Sequence, residues 1–98
     1  MTLENIPNKY RNDIKYAVEF LKNEGCSSVF LFGSIVTGNT NEYSDIDIGV
    51  KGLPPDKFFS AGGKLYMTLE NDFDFVDFDR DTNLYSLLNK LGEVVEIE

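Results

Sequence analysis

Residues 33 to 47 hold the groups best suited to chemistry: Gly33-Ser34, then Gly38, then Ser44-Asp45-Ile46-Asp47. Acid and aliphatic alternate through Asp45-Ile46-Asp47-Ile48, the period of a strand, so Asp45 and Asp47 are expected on one side of a sheet. Two residues along a strand rise roughly 6.6 Å. Carboxylates that close repel each other unless a cation sits between them. Magnesium, held at about 2.1 Å by one or two carboxylates together with substrate phosphates, meets that need. Just upstream, the apolar run Ser28-Val29-Phe30-Leu31-Phe32 breaks at Gly33-Ser34. A strand ending in Gly-Ser, with a helix opening behind it, offers backbone N–H groups to a phosphate. Gly33 keeps the backbone free of a side chain that would hold the ligand away. Phosphate grip and metal seat side by side point to an enzyme that handles nucleotides.

Plainer structures compete for the same residues. A glycine-serine bend also serves as an ordinary strand-to-helix turn, and Asp-Ile-Asp-Ile also serves as a solvated strand face. What favours chemistry is their meeting: an open α/β sheet binds ligands beyond its strand ends, where the turn and the acids are expected together. Gly33 and Gly38 are spaced as in a P-loop, but Asn39-Thr40 stands where that motif needs Lys and Ser/Thr. The dinucleotide pattern G-x-G-x-x-G is absent. Ser44 is a supporting candidate that orients Asp45 or caps the strand entrance.

A third carboxylate is sought between Glu70 and Asp81, which holds six acids and one base, Arg80. Along 73–78, Asp74, Val76 and Phe78 share one face, and Phe73, Phe75 and Asp77 the other. Periodicity does not choose between Asp74 and Asp77. The cost of burying an acid between Phe73 and Phe75 without a cation or donor favours Asp74. Asp77, Asp79 and Asp81 mimic the start of a calcium loop, but Thr82 and Leu88 occupy the positions that need Gly and Glu. Asp79 and Asp81 are expected at a solvated strand exit and a helix start.

The elements that must position these groups follow from pattern. Pro7 to Glu24 is expected as a helix, with Ile14, Ala17, Val18 and Leu21 on one stripe and Gly25 as its stop. Strands are expected at 28–32, 45–51 and 73–78, a short helical turn at 34–38, and helices from Pro55 toward Leu69 and over 83–91. Phe58, Phe59, Leu65, Tyr66 and Leu69 are the core candidates of the former, and Leu84, Leu87, Leu88 and Leu91 of the latter. Gly62-Gly63 weakens the middle helix by about 1 kcal/mol per glycine. Val94 to Ile97 is an edge strand or a packed tail. The resulting fold class is α/β (α+β), a small mixed sheet packed by helices in one domain, 1–98.

Composition narrows the function. The 98 residues are 42% hydrophobic and 13% aromatic, with eight Phe and five Tyr, enough for one packed core. Nine basic residues against seventeen acidic give a net charge of −8, which opposes sequence-independent binding to nucleic acid. A small phosphorylated substrate stays open, because bound metal reverses the local field. No histidine is present, which excludes a histidine-based triad or metal site, and the one cysteine, Cys26, excludes an internal disulfide. Cys26 is expected as a reduced, buried filler. No signal-peptide pattern or long apolar run occurs, so no membrane role and a cytoplasmic location are expected.

Taken together, Leu31-Phe32-Gly33-Ser34, Gly38 and Ser44-Asp45-Ile46-Asp47-Ile48 resemble the signature of the polymerase-β-like nucleotidyltransferases. The short chain resembles their minimal branch, the MNT antitoxins found beside HEPN-domain partners. Phe73-Asp74-Phe75-Val76-Asp77 is similar to the family's third-strand pattern, which selects Asp74 as the third carboxylate. The resemblance spans roughly residues 28 to 79. It implies that Gly33 and Ser34 hold nucleotide phosphates, with Ser44 beside them. It implies that Asp45, Asp47 and Asp74 bind two Mg²⁺ ions, with Asp74 also helping to deprotonate an acceptor hydroxyl. The implied reaction moves AMP from ATP, or another nucleoside monophosphate from its triphosphate, to a hydroxyl, with a tyrosine of a HEPN protein as one acceptor. The implied alternative is a non-catalytic antitoxin that masks that partner by contact. Ile35-Val36-Thr37 replaces arginines common in the family, which implies weaker triphosphate binding and lower activity. A partner or a homodimer is expected to complete so small a site.

Overall fold

Tyr10, Ile14, Ala17 and Leu21 recur on one stripe and are buried, which fixes how the first helix, α1 (Asn8–Asn23), lies on the sheet. The computed structural model describes residues 6–97; residues 1–5 and 98 of the expected domain lie outside the described residues. After α1 come β1 (Ser28–Phe32), α2 (Ser34–Thr37), β2 (Ile46–Lys51), α3 (Pro55–Thr68), β3 (Phe73–Asp77), α4 (Thr82–Leu91) and β4 (Val94–Ile97). The expected elements therefore all occur, with bounds shifted by a residue or so, and the last segment is a strand rather than a tail.

The four strands form one sheet in the order β3-β2-β1-β4. β2 and β3 run parallel, joined by α3, while β1 runs antiparallel to both β2 and β4. This is the mixed, helix-covered sheet expected of the α+β class. On one face Val29, Leu31, Ile46, Ile48 and Val50 pack against α1 and against Ala61 and Leu65 of α3. On the other, Phe30, Phe78 and Leu88 form a smaller core under α4, with Phe32, Leu84 and Tyr85 around it. The Phe30 and Phe78 rings meet edge to face at 5.6 Å, and the tilted Phe78 and Tyr85 rings lie 5.2 Å apart. Cys26 is buried as expected, its thiol donating toward the Ser28 and Lys51 carbonyls.

Two expectations about the helices need correction. Phe59 and Tyr66 face solvent, 78% and 80% exposed, because the inward stripe of α3 runs through Phe58, Ala61 and Leu65. Leu87 and Leu91 are likewise exposed, since α4 covers only the Phe30–Phe78 patch. The glycine pair in α3 has a packing reason at Gly62, where an added Cβ would sit 3.3 Å from the Phe75 ring. That close approach lets Phe58 stack on Phe75 with centroids 4.6 Å apart.

Gly49, at the centre of β2, is the tightest point of the α4 face. A Cβ there would fall 2.0 Å from Cε2 of Phe78, a ring only 1% exposed and walled in by Phe30 and Tyr85. Gly49→Ala is expected to destabilise the fold by about 1–3 kcal/mol through overpacking. Thermal melts should show a Tm loss of roughly 4–8 °C per kcal/mol, with partial recovery in Gly49→Ala/Phe78→Leu.

Candidate active site

The parallel register of β2 and β3 sets Asp47 opposite Asp74, and the antiparallel register of β1 and β2 sets Phe32 opposite Asp47. With Val94 beyond Phe32, these residues make one row across the sheet on the α4 side. Asp47 is half-buried, whereas Asp74 and Asp45 are exposed. Residues directly opposite lie close enough for side chains to meet. Burial first, then the Asp74 side chain beside it, then the charges of Asp74 and Asp45 push the Asp47 carboxyl up to about 6. The pair is a like-charge contact in a partly dry place.

Gly33 closes the site from the side of β1. Its φ is +73°, the left-handed region that favours glycine, and an added Cβ would lie 2.1 Å from Asp47 Oδ2. The turn and the acids do meet, though not at the carboxyl ends of the parallel strands. The acids stand at the amino ends of β2 and β3. Gly33 reaches them because β1 runs the other way. The helix behind the bend is only the four-residue α2, so its dipole is small. Val36 and Thr37 already donate to the Gly33 carbonyl, and the Gly33 N–H donates to the Glu93 carbonyl. The N–H groups left at the bend belong to Ser34 and Ile35. Ile35 itself is anchored in the core, 3% exposed, which accounts for an apolar residue at this position.

Ser44 has a local role: its Oγ accepts the Asn41 N–H at 2.8 Å and shapes the loop just before Asp45. Asp77 is the buried acid, 7% exposed, on the face away from the pair, where it accepts the Asp79 N–H at 2.9 Å. Asp74 is therefore not the costly buried acid that its place between Phe73 and Phe75 suggests. Asp74 is the exposed one, and its place opposite Asp47 rather than burial sets it in the site. Asp81 caps α4 by accepting the Leu84 N–H, as expected, while Asp79 accepts the Gly52 N–H rather than only facing solvent. Tyr10 and Asp13, which hold the loops leading to Asp45 and Asp74, carry no motif. The available signal was an acid inside the buried stripe of α1, which must find donors.

An open groove of about 320 Å³ adjoins Asp45, walled by Tyr66, Leu69, Asp72 and Phe73. A second of about 260 Å³ lies along Glu42, Tyr43, Ser44 and Asp45. Both are lined by Asp45, and neither by Asp47, Asp74 or Gly33. Among the described residues no three acid or thiol side chains are grouped closely enough to hold a metal ion. The donor set is an open one, Asp47 paired with Asp74 and Asp45 within reach of their charge. All-oxygen donors in an open arrangement suit Mg²⁺, which keeps water and substrate phosphates in its shell. A divalent cation would relieve the repulsion that raises the Asp47 pKa, so these residues fit such an ion.

A family model described as Polymerase beta, Nucleotidyltransferase matches residues 15–95. No curated protein matches the sequence. Among solved structures, a chain of a toxin–antitoxin complex with AMP-PNP is 24% identical, with a TM-score of 0.67 over 92% of this chain and 72% of that one. A chain of a mutant toxin–antitoxin MntA–HpeT complex is 27% identical, with a TM-score of 0.54 over 69% of this chain and 58% of that one. A looser overlay, TM-score 0.48 at 28% identity, covers 72% of this chain and 56% of a chain from a tri-AMPylated Shewanella oneidensis HEPN toxin in complex with MNT antitoxin.

A carboxyl group whose pKa is higher in the fold than in the unfolded chain adds stability below its ordinary pKa, and loses it as pH rises through about 6. Asp47→Asn is thus expected to raise Tm in EDTA at pH 7.5. That gain should shrink toward pH 4, and melts at both pH values check it. Gly33→Ala is expected to lower Tm at either pH, at a cost of about 1–2 kcal/mol for the left-handed backbone alone, because the new methyl also displaces the Asp47 carboxyl.

Proposed function

Because the chain belongs to the polymerase-β nucleotidyltransferase family, we propose that it transfers AMP from ATP to an acceptor hydroxyl on a HEPN-type partner protein. The observation that carries this reading is the Asp47–Asp74 pair set against the Gly33 bend. The Ser34 and Ile35 N–H groups and the Ser34 hydroxyl hold the triphosphate where Gly33 leaves the backbone bare. Asp45, Asp47 and Asp74 would hold Mg²⁺, two ions in this reading, which would neutralise charge on the phosphates and the departing pyrophosphate. Asp74, exposed and facing the half-buried Asp47, accepts the proton of the attacking hydroxyl. The acceptor oxygen bonds to the α-phosphorus, the bond to the β-phosphate oxygen breaks, and pyrophosphate leaves. The rest of the chain's contribution is position, because phosphoryl-type transfer asks the protein for alignment and charge more than for covalent chemistry.

The partner is inferred from the MNT resemblance, and the MntA–HpeT complex among the relatives supports it. Ile35-Val36-Thr37 sets no cation over the phosphates, so a high KM for ATP is expected rather than a lost fold. No helix among the described residues is long and apolar enough to cross a membrane, which is in keeping with a cytoplasmic enzyme.

A second reading, masking of the partner by contact alone, has its own observation. On α3, Phe59, Tyr66 and Met67 lie on one face and are 78%, 80% and 86% exposed, a broad apolar stripe on a chain of net charge −8. A partner with a basic rim around an apolar centre would fit it.

The two readings separate in one experiment. Incubated with the HEPN protein encoded beside it, ATP and Mg²⁺, the wild type is expected to add AMP to that partner by intact-mass spectrometry. EDTA should abolish the addition. Asp47→Asn should slow it at least about a hundredfold, the scale of losing a main electrostatic stabiliser. Neutralisation of the partner that survives Asp45→Asn/Asp47→Asn, with no added mass, would move the assignment to contact.

A further inference from the structure

The first turns of α1 grip both loops that feed the acid-bearing strands. Tyr10 is fully buried, and its hydroxyl reaches the 41–44 loop. There the hydroxyl donates to the Ser44 carbonyl at 3.1 Å and lies 3.4 Å from the Asn41 carbonyl. Three residues on, Asp13 is 6% exposed and accepts from the Glu70 N–H at 3.1 Å, the Asn71 N–H at 2.8 Å and Asn71 Nδ2 at 2.8 Å. Asn71 Nδ2 also donates to the Lys9 carbonyl at 2.8 Å. Ser44 directly precedes Asp45, and Asn71 precedes Asp74 by three residues. The Ile46 N–H, donating to the Asp72 carbonyl at 3.0 Å, joins the two loops where they enter the sheet.

These bonds matter because the acid pair supplies no restoring force of its own. Asp47 and Asp74 repel, so whatever holds them opposite one another must act from outside the pair. A buried carboxylate satisfied by backbone donors is a stiff anchor, since leaving those donors unpaired is costly. We propose that Tyr10 and Asp13 are positioning residues for the metal-binding acids: from one helix they fix the entrances of β2 and β3, and so the spacing of Asp45 and Asp47 against Asp74. This rests on the reading that those acids hold a divalent cation.

A control exists at the other end of the same strands. Asp79 Oδ2 accepts the Gly52 N–H at 2.7 Å and ties the exits of β2 and β3 together, away from the acids. Mn²⁺ affinity, measured by electron paramagnetic resonance on the whole chain, separates positioning from general stability. Tyr10→Phe keeps the ring and removes the hydroxyl, and it is expected to weaken Mn²⁺ binding roughly 10–100-fold, as is Asp13→Asn. Asp79→Ala is expected to lower Tm and leave Mn²⁺ affinity unchanged. In the transfer assay, the KM for Mg²⁺ should rise in Tyr10→Phe while kcat at saturating metal stays near wild type. Wild-type Mn²⁺ affinity in a folded Tyr10→Phe protein overturns the proposal, and so does equal weakening by Asp79→Ala. A wild-type chain that binds no Mn²⁺ overturns the metal seat itself, and the positioning role with it.

Discussion

Two carboxyl groups held face to face on neighbouring parallel strands are the constraint around which this structure is arranged. Like charges opposite one another weaken a sheet, and here the setting makes it worse. Phe32 and Val94 continue the row on the β1 side, and Gly33 presses its backbone against the Asp47 carboxyl. An ordinary core would replace such a pair with apolar residues. Its presence at a glycine bend, where phosphate can approach, is what gives the repulsion a use.

Much of the surrounding structure serves to hold that arrangement. The sheet is clamped by cores on both faces, the larger under α1 and α3 and the smaller aromatic one under α4. Glycine appears on β2 where Phe78 needs the space, and at the end of β1 where Asp47 does. Neither position tolerates a side chain, and the two lie on the same face of the sheet. The α4 core thus runs directly into the site, so packing and chemistry share one surface.

The mixed direction of the strands solves a geometric problem. Parallel β2 and β3 bring their acids to one end of the sheet, but a parallel β1 would carry its glycine bend to the opposite end. Reversing β1 sets the bend beside the acids. The apolar α2 then anchors in the core through Ile35 rather than offering a cation to the phosphates. The site is consequently rich in negative charge, and its chemistry leans on whatever cations it gathers.

Local pattern in the chain determined a good deal: seven of the eight elements, the Gly33-Ser34 bend and the burial of Cys26 all follow from period, spacing and turn chemistry. Those features depend on neighbours a few residues apart, which a linear sequence contains. Periodicity also placed Asp74 and Asp77 on opposite faces, but it carries no information about which face opens to a ligand. Only β3's register against β2 decided that, leaving Asp74 exposed beside Asp47 and Asp77 buried under a turn. The same holds for Tyr10 and Asp13, whose partners lie more than thirty and fifty residues away, and for the outward turn of Phe59 and Tyr66. A hydrogen bond or a packed ring across such a distance exists only once the chain has folded, so tertiary structure alone assigned those residues their work.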